Sequence, residues 1–400
     1  MKFMKILFVV DSIERFHFFK RLKHALNESN YYVTIITTEP LAFLLAKSIK
    51  IPAIYLNVGT CKITRFDQNE IENLAEKSIE FLNSIDSLAA ATACLASCSE
   101  KILDIIEAEK IEKIYIWNGQ QVLGRAASLA ADLSGITKRY LEISNLPNQI
   151  FVDPEGVNAL SSIASNVDRL DALPQVSSEQ HEKWIEQYEN KKNSPLPQAN
   201  LGYSIKIQNF TNFLIKLFIG GVSSTNVMAK IRSALKKKVA LTKVDEKSLG
   251  EKYIFLPLQV SGDTQIKLHS DFDNISAIIY SHALAKERDL QLVVKIHPAE
   301  KCKSEVRRII ELNGRMDFYL SSENTINLIK NASLVVTINS TVGLEALLYQ
   351  KEVVILGRCF YKNFTEERLR KYIHHYLVSD IPYFGKHPIA SQAAEELISR

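Results

Sequence analysis

The stretch that decides the fold is residues 253–265, which read YIFLPLQVSGDTQ. Six residues typical of a buried β-strand lead into a polar loop with a glycine and a carboxylate. The same order recurs in LQLVVKIHP at residues 290–298 and in LVVTINSTVGLE at residues 334–345. Because polar side chains that follow successive parallel strands meet at one edge of a sheet, the three stretches predict a single ligand site.

The first half of the chain alternates in the same way. Predicted strands cover Lys5–Val10, Tyr32–Thr37, Lys113–Ile116 and Arg139–Ile143, with helical segments between them. We therefore expect an α/β fold of the GT-B type, with two Rossmann-like domains and a cleft between them. A periplasmic-binding-protein-like receptor shares this pattern, so the fold alone does not decide the function.

Composition changes predict the domain limits. The predicted parts are an N-terminal Rossmann-like domain (1–205, with a polar insertion at about 165–205), a basic helical linker (206–250), a C-terminal Rossmann-like donor domain (251–365) and C-terminal helices that can pack back on the first domain (366–400).

Bulk properties indicate a soluble cytoplasmic protein. The 400 residues are 46% hydrophobic and 24% charged, and a net charge of +4 does not indicate a nucleic-acid binder. The five cysteines include no CxxC, and buried free thiols explain Cys94 and Cys98 better than zinc ligands do. We expect no transmembrane helix, because no apolar run reaches about 18 residues.

Two of the strand ends suit a phosphorylated ligand. Lys295 and His297 lie two residues apart, so they share a face of the strand and precede Pro298. Asn339, Ser340 and Thr341 open a helix whose free N–H groups can bind an anion. Two plainer interpretations stay open here: His297 as a cap of the next helix, and an ordinary capped helix start after Asn339.

Two carboxylates are candidates for the chemistry. Asp263, flanked by Gln259 and Gln265, can be a nucleophile, a base or a metal ligand, although on its own it is better explained as a turn residue or helix N-cap. Glu142 lies in an apolar strand, where burial would raise its pKa and suit it to acid–base work. Asp153 belongs to a sequence typical of a plain turn.

In combination and order, these motifs resemble the capsule-polysaccharide biosynthesis family, which includes bacterial β-Kdo glycosyltransferases. The likeness covers residues of about 140–160 and 253–361, whereas the polar segment at 165–205 has no counterpart. The resemblance implies a GT-B transferase that takes CMP-Kdo as donor and transfers Kdo with retention by a double displacement. The implied acceptor is a bacterial surface glycan or glycolipid, such as a capsule or the O-antigen of lipopolysaccharide.

The resemblance also implies roles for individual residues. Asp263 would be the nucleophile, with Asp153 as a rival, and Glu142 the acid–base catalyst. Glu345 would contact the ribose or help to fix the loop. No metal or other cofactor is required for the chemistry, although Mg²⁺ can accompany the nucleotide. The implied donor-binding residues are Gln259, Gln265, Lys295, His297, Pro298, Asn339, Ser340, Thr341 and Glu345, and the implied acceptor or supporting residues are Asn118, Asn145 and Asp153.

The segment 210–238 pairs an apolar start with a basic end, which is typical of peripheral contact with the cytoplasmic face of the inner membrane or of a solvated linker helix. Two other functions stay open: a different GT-B sugar-nucleotide transferase, such as a sialyltransferase-like enzyme, and a non-catalytic nucleotide- or sugar-binding protein of polysaccharide assembly. The sequence names neither the acceptor nor the number of Kdo residues added, and the chain can equally be one module of a larger synthase.

Overall fold

The computed structural model describes residues 3–26, 29–58, 64–144, 146–192, 203–219, 252–385 and 387–400. The chain divides into two compact units. Unit 1 comprises Met1–Ala229 and Lys371–Arg400, and unit 2 comprises Lys230–Arg370.

In unit 1, strands and helices alternate along the chain. They are β1 (Met4–Val10), α1 (Ile13–Ala25), β2 (Tyr31–Thr37), α2 (Pro40–Ser48), β3 (Ala53–Tyr55), α3 (Gln68–Glu76), α4 (Ile79–Leu82), α5 (Leu88–Glu109), β4 (Lys113–Trp117), α6 (Val122–Ser134), β5 (Thr137–Ile143), β6 (Ile150–Asp153), α7 (Ser162–Ser165), α8 (Ser178–Lys192) and α9 (Tyr203–Phe218).

The described strands of unit 1 form one sheet in the order β3-β2-β1-β4-β5-β6. All neighbours pair in parallel except β5 and β6. Helices cover both faces of such a sheet, so side chains on both sides of each strand are buried. The strands are therefore continuous apolar runs. Aromatic side chains fill one face: Phe8 stacks on Phe19 with ring centroids 4.5 Å apart, and Phe18 meets Trp117 edge-on at 5.2 Å.

Unit 2 repeats the alternation on a smaller scale. Its elements are β7 (Tyr253–Pro257), α10 (Thr264–His269), α11 (Asn274–Glu287), β8 (Gln291–Lys295), α12 (Lys303–Asn313), β9 (Tyr319–Leu320), α13 (Thr325–Asn331), β10 (Leu334–Thr337), α14 (Thr341–Leu348), β11 (Glu352–Ile355) and α15 (Glu366–Lys371), the last of which ends at the unit boundary.

The described strands of unit 2 form a second sheet in the order β11-β10-β7-β8-β9. Every pair is parallel. The two sheets confirm the predicted α/β fold with two Rossmann-like domains.

The end of the chain belongs to unit 1. It contains a π-helical turn (Tyr372–Tyr376) and α16 (Ser391–Ser399). Lys113 Nζ and Tyr115 OH both donate to Ile398 O at 2.7 Å, and burial lowers the pKa of Lys113 to about 8. Tyr383 packs on Trp117 with ring centroids 4.7 Å apart, which closes the aromatic core of unit 1.

The segments predicted as a polar insertion and as a linker both contain helices. The polar stretch at 165–205 contains α8, whose His181 and Tyr188 are buried. Helix α9 lies where a linker was expected, and it packs against α1 and α2 of unit 1. The rest of the predicted helix at 210–239 lies outside the described residues after position 219.

Candidate functional site

The order of strands in unit 2 creates a crevice between β7 and β10. The chain continues from β7 to β8 and β9 on one side and from β10 to β11 on the other, so the loops after these neighbouring strands diverge. Open α/β sheets bind ligands at such topological switch points. The loop after β7 carries Gln259 and Asp263, and the loop after β10 carries Asn339 and Ser340. Two of the three sequence motifs therefore line one crevice.

Gln259 bridges the two sides of this crevice. Its Nε2 donates to Asn339 Oδ1 at 3.0 Å, and its Oε1 accepts from the Asn339 N–H at 3.2 Å. The same Nε2 lies 3.3 Å from Asp263 Oδ2. Asn339 in turn donates from Nδ2 to Gln265 O at 2.9 Å. Because Gln259 is buried, its amide fixes Asp263 relative to the start of α14.

Asp263 is the N-cap of α10. Its Oδ1 accepts from the Gln265 N–H at 2.9 Å, while its Oδ2 faces Gln259. The capping role that the sequence left open is thus confirmed. Because the residue is only half-buried, this oriented carboxylate also remains accessible to a ligand in the crevice and can act as a nucleophile.

The start of α14 supplies an anion-binding end. Ser340 is its N-cap, with Oγ accepting from the Val342 N–H at 3.2 Å, and the Ser340 N–H donates to Thr337 Oγ1 at 3.2 Å. Thr341 is exposed at the first helical position. The positive end of the helix dipole, with the hydroxyls of Ser340 and Thr341 beside it, favours a phosphate here.

Tyr361 holds the start of α14 from behind. Its hydroxyl donates to Ser340 O, and burial raises its pKa. Gly343 is required by this contact, since a Cβ there would lie 2.6 Å from the Tyr361 hydroxyl and 2.8 Å from Thr337 Cγ2. The glycine of the sequence motif therefore serves close packing behind the site.

Lys295, at the end of β8, braces a neighbouring loop. Its ammonium donates to Glu323 O and, at 3.0 Å, to Thr325 Oγ1. Burial lowers the pKa of Lys295, while the charge of Glu323 opposes that shift. Two of its three donors are thus used within unit 2, which leaves one for the phosphate contact that the sequence predicts.

His297 is prepared to donate a hydrogen bond. Desolvation lowers its pKa, although the charges of Asp263 and Glu300 oppose the shift, so the ring is neutral near pH 7. Its Nδ1 accepts from the Ala299 N–H at 3.0 Å, which assigns the proton to Nε2. Pro298 follows it at the surface. A neutral donor suits a phosphate oxygen.

Asn274 and Glu300 also shape this site, and the sequence motifs did not identify them. Asn274 holds the backbone of Gln259. The Gln259 N–H donates to Asn274 Oδ1 at 3.2 Å, and Asn274 Nδ2 donates to Gln259 O at 2.9 Å. Glu300 accepts from the Ser261, Lys301 and Cys302 N–H groups at 2.6–2.7 Å. Glu300 ties the loop after β7 to the loop after β8.

Unit 1 has its own switch point, between β1 and β4. Asp11 follows β1, and Asn118 follows β4 with a left-handed backbone at φ 59°. Gly119 comes next at φ 78°, and a Cβ there would lie 2.6 Å from the ring of Tyr140. The left-handed pair turns the side chain of Asn118 toward Glu142, at the end of the adjacent strand β5.

Glu142 is a carboxyl group held in a low-dielectric position. Asn118 Nδ2 donates to its Oε2, and the Ile143 N–H donates to its Oε1 at 2.9 Å. Burial raises the pKa of Glu142, as predicted for a carboxyl in an apolar strand. Asn118 and the charge of Arg15 oppose the shift, and Asp11 adds to it.

Arg15 is the cation of this acidic crevice. Its guanidinium bonds to the Asp11 carboxylate and to Gln121 Oε1, and it lies 5.6 Å from the ring centroid of Trp117. Burial also raises the pKa of Asp11, although Arg15 opposes that shift. A third carboxyl, Glu80, accepts from the Val122 N–H at 3.0 Å, and burial raises its pKa to about 7.

A family comparison accounts for the motifs. The sequence profile of the family described as "Capsule polysaccharide biosynthesis protein" matches residues 112–365. The chain belongs to this family. The match includes Glu142 in unit 1 and the whole β7–β10 crevice of unit 2.

Curated relatives are similar to the chain over parts of their length. The Escherichia coli capsule polysaccharide export protein KpsS is 31% identical over 28% of this chain and 32% of that protein. The Neisseria meningitidis serogroup B capsule polysaccharide modification protein LipB is 23% identical over 54% of this chain and 56% of LipB. The chain thus spans about half the length of these relatives or less.

Solved structures resemble the chain distantly. The β-Kdo 2,7 transferase of Thermosulfurimonas dismutans KpsC aligns with a TM-score of 0.41 and 16% identity, over 75% of this chain and 89% of that one. The UDP-GlcNAc 2-epimerase of Methanocaldococcus jannaschii aligns with a TM-score of 0.32 and 14% identity, over 99% of both chains.

Asp153 has a structural role in unit 1. The residue is fully buried, and its carboxylate accepts from the Glu155, Gly156 and Ser162 N–H groups at 2.7–3.0 Å. Tyr376 OH donates to the same carboxylate. A carboxylate saturated in this way supports the turn after β6 and is unsuited to be the rival nucleophile. Asn145 lies outside the described residues.

Glu345 is the remaining residue of the predicted donor site. Glu345 lies on α14 with 3% of its surface exposed, so its side chain is inside unit 2, and its contact with a ribose stays a prediction. Within the described ranges, no three His, Cys, Asp or Glu side chains are grouped as metal ligands. In the same ranges, no helix is long and apolar enough to cross a membrane.

Proposed function

We propose that this chain is a retaining β-Kdo glycosyltransferase of the GT-B type. It transfers Kdo from CMP-Kdo to a bacterial surface glycan or glycolipid of the capsule or O-antigen type. The arrangement at the unit 2 switch point carries this proposal: Gln259 holds the Asp263 carboxylate beside the anion-binding start of α14. Membership of the capsule polysaccharide biosynthesis family supports it.

The donor phosphate is assigned to the helix start. The positive end of the α14 dipole and the hydroxyls of Ser340 and Thr341 stabilise the CMP phosphate, and His297 donates to it from Nε2. These groups stabilise the negative charge that grows on CMP as its bond to Kdo breaks. CMP thereby leaves without protonation by an acid, and Mg²⁺ can accompany it without taking part in the chemistry.

The first displacement is assigned to Asp263. One carboxylate oxygen forms a bond to the anomeric carbon of Kdo while the bond from that carbon to the CMP phosphate oxygen breaks, and CMP takes the electron pair. The contacts from Gln265 and Gln259 orient the carboxylate for this attack. The product is a covalent Kdo–enzyme ester with inverted configuration.

The second displacement is assigned to Glu142. As the acceptor hydroxyl attacks the anomeric carbon, its proton passes to the Glu142 carboxylate and the ester bond to Asp263 breaks. The second inversion restores the original configuration. The raised pKa of Glu142 suits it to accept a proton near neutral pH.

Mass spectrometry of the protein after incubation with CMP-Kdo tests the proposal. We expect one Kdo adduct on the peptide that contains Asp263. In Asp263→Asn the adduct should be absent and transfer should fall about a thousandfold or more, whereas stabilisation by CMP in thermal-shift assays should persist. Asparagine is as good an N-cap as aspartate, so α10 should remain intact.

Asp271→Asn is the matched control, because Asp271 is 89% exposed on a nearby loop. This variant should form the adduct at the wild-type rate. An adduct on another residue would disprove the assignment of Asp263. Stabilisation by UDP or GDP but not by CMP would indicate a different sugar-nucleotide enzyme, and full biological activity of Asp263→Asn would indicate a non-catalytic binding protein.

A further inference from the structure

The polar side of helix α9 faces α1 and α2 of the same unit. His17 Nε2 donates to Gln208 Oε1 at 2.7 Å, and the Leu41 N–H donates to Asn212 Oδ1 at 3.0 Å. Glu39 accepts from Asn212 Nδ2 and from Lys216 Nζ, the latter at 2.5 Å. Gln208, Asn212 and Lys216 follow at intervals of four, so they form one stripe along the helix. Hydrogen bonds and an ion pair attach α9 to α1 and α2.

The apolar side of α9 faces solvent. Phe210 is 62% exposed and Phe218 is 90% exposed. A surface helix of a globular protein has the opposite orientation, with its apolar stripe toward the core. We call the outward stripe the α9 apolar face; its members are Ile207, Phe210, Leu214, Leu217 and Phe218.

A further apolar side chain is exposed on the neighbouring helix. Leu44 of α2 is 53% exposed, and α2 packs directly against α9. A stripe of exposed apolar side chains such as that of α9 usually marks an interaction site.

The sequence that contains α9 is strongly basic. Residues 190–244 contain ten lysines and arginines and no aspartate or glutamate. Since the whole chain has a net charge of +4, the remaining residues carry 4 − 10 = −6. Helix α9 itself contributes Lys206 and Lys216 to this stretch. A second copy of the chain would bring like charges together, whereas an anionic surface complements them.

We propose that the α9 apolar face binds the surface of an anionic lipid bilayer. Phe210, Leu214 and Phe218 enter the boundary between headgroups and acyl chains, while the exposed Lys206 meets the lipid phosphates. A bilayer provides hydrocarbon and negative charge together, which matches both properties of the face. This inference does not depend on the proposed transferase activity.

Vesicle sedimentation with the full chain tests the proposal. We expect binding to vesicles of phosphatidylcholine with 30% phosphatidylglycerol, and weaker binding to phosphatidylcholine alone or in high salt. The double variant Phe210→Ser with Phe218→Ser should bind about tenfold more weakly or worse, because it removes two apolar side chains from the interface. Both residues are exposed, so the fold should be unchanged in circular dichroism.

Ile310→Ser is the matched control, since Ile310 is 47% exposed on α12 of unit 2. It should bind vesicles like the wild type. As a direct readout, a tryptophan in Phe218→Trp should be quenched by brominated lipids, and one in Ile310→Trp should not. No vesicle binding, or equal binding by the double variant, would overturn the proposal. Self-association that the double variant abolishes, without vesicle binding, would assign the face to a second copy.

Discussion

The two switch points share a topology and differ in chemistry. In unit 2 hydrogen bonds join the loops after β7 and β10. The side-chain amide of Gln259 forms two of them with Asn339, at 3.0 and 3.2 Å. In unit 1 the acidic crevice contains Asp11 after β1, Glu80 on α4 and Glu142 on β5, and burial raises the pKa of each. The crevice of unit 2 fixes a carboxylate beside a helix start, and the crevice of unit 1 holds carboxyl groups whose pKa values are raised.

This difference assigns separate steps to the two units. A departing phosphate needs N–H donors and a helix start, which α14 provides. An acceptor hydroxyl needs a base whose pKa lies near the working pH. A substitution in either crevice should therefore impair one step and spare the other.

The largest expected effect in unit 1 is that of Glu142→Gln. Kdo transfer should fall about a hundredfold to ten-thousandfold, because the acceptor proton loses its base. Donor binding should be unchanged in thermal-shift titration with CMP. Glu155→Gln, on the surface of the same unit, is the control and should retain activity. A loss of CMP binding in Glu142→Gln would contradict the separation of roles.

The pH profile of transfer sharpens the same assignment. The base form of Glu142 is required, so the rate should rise with pH through the raised pKa of this group. Arg15 lowers that pKa by its charge, so Arg15→Gln should move the rising limb to higher pH. Arg169→Gln, which removes a surface arginine of unit 1, should leave the limb in place.

A smaller effect is expected from Gln259→Leu in unit 2. Asn339 and Asp263 lose a buried partner, at a cost of about 1–3 kcal/mol, so CMP affinity and transfer should fall about fivefold to a hundredfold. Asn339→Leu should lose a similar amount. If the pair acts as a unit, the double variant should lose no more than the worse single variant. Additive losses, measured by calorimetric CMP titration, would separate their roles.

The sequence predicted the strand ends but not the contacts between them. Apolar runs followed by polar loops located Asp263, Asn339 and Glu142, since burial and capping are local signals. The hydrogen-bond partners of Gln259 and Glu142 depend on which strands are neighbours in the sheet. The sequence of one strand does not show the strand order. Asn274 and Arg15 were missed for this reason, as each acts on a loop from another part of the chain.

Two local patterns were informative only in part. The sequence predicted a helix with an apolar start from residue 210, and the usual rule would turn the apolar side chains of such a helix inward. The hydrogen bonds of Asn212 and Lys216 to Glu39 reverse it, and they join residues more than 170 positions apart. The turn predicted at Asp153 is present. Its carboxylate also accepts hydrogen bonds from Ser162 and Tyr376, which lie outside the turn, and these contacts make Asp153 unsuited to catalysis.

The smallest expected effect is a pH-dependent gain of stability in Glu80→Gln. Burial raises the pKa of Glu80 from 4.5 to about 7, so folding favours its protonated form. The stability that this group contributes is full below pH 4.5 and is lost as the pH rises to about 7. Glutamine stays neutral and can still accept from the Val122 N–H.

The melting temperature of Glu80→Gln relative to wild type should therefore rise between pH 4.5 and 7, by a few degrees in all, and level off above that range. The exposed Glu76 on α3 provides the control for loss of one negative charge, as Glu76→Gln. A gain in Glu80→Gln that is constant from pH 5 to 8 would mean that the Glu80 side chain is ionised throughout. The crevice of unit 1 would then lack the low dielectric that raises its carboxyl pKa values, and the contrast with unit 2 would fail.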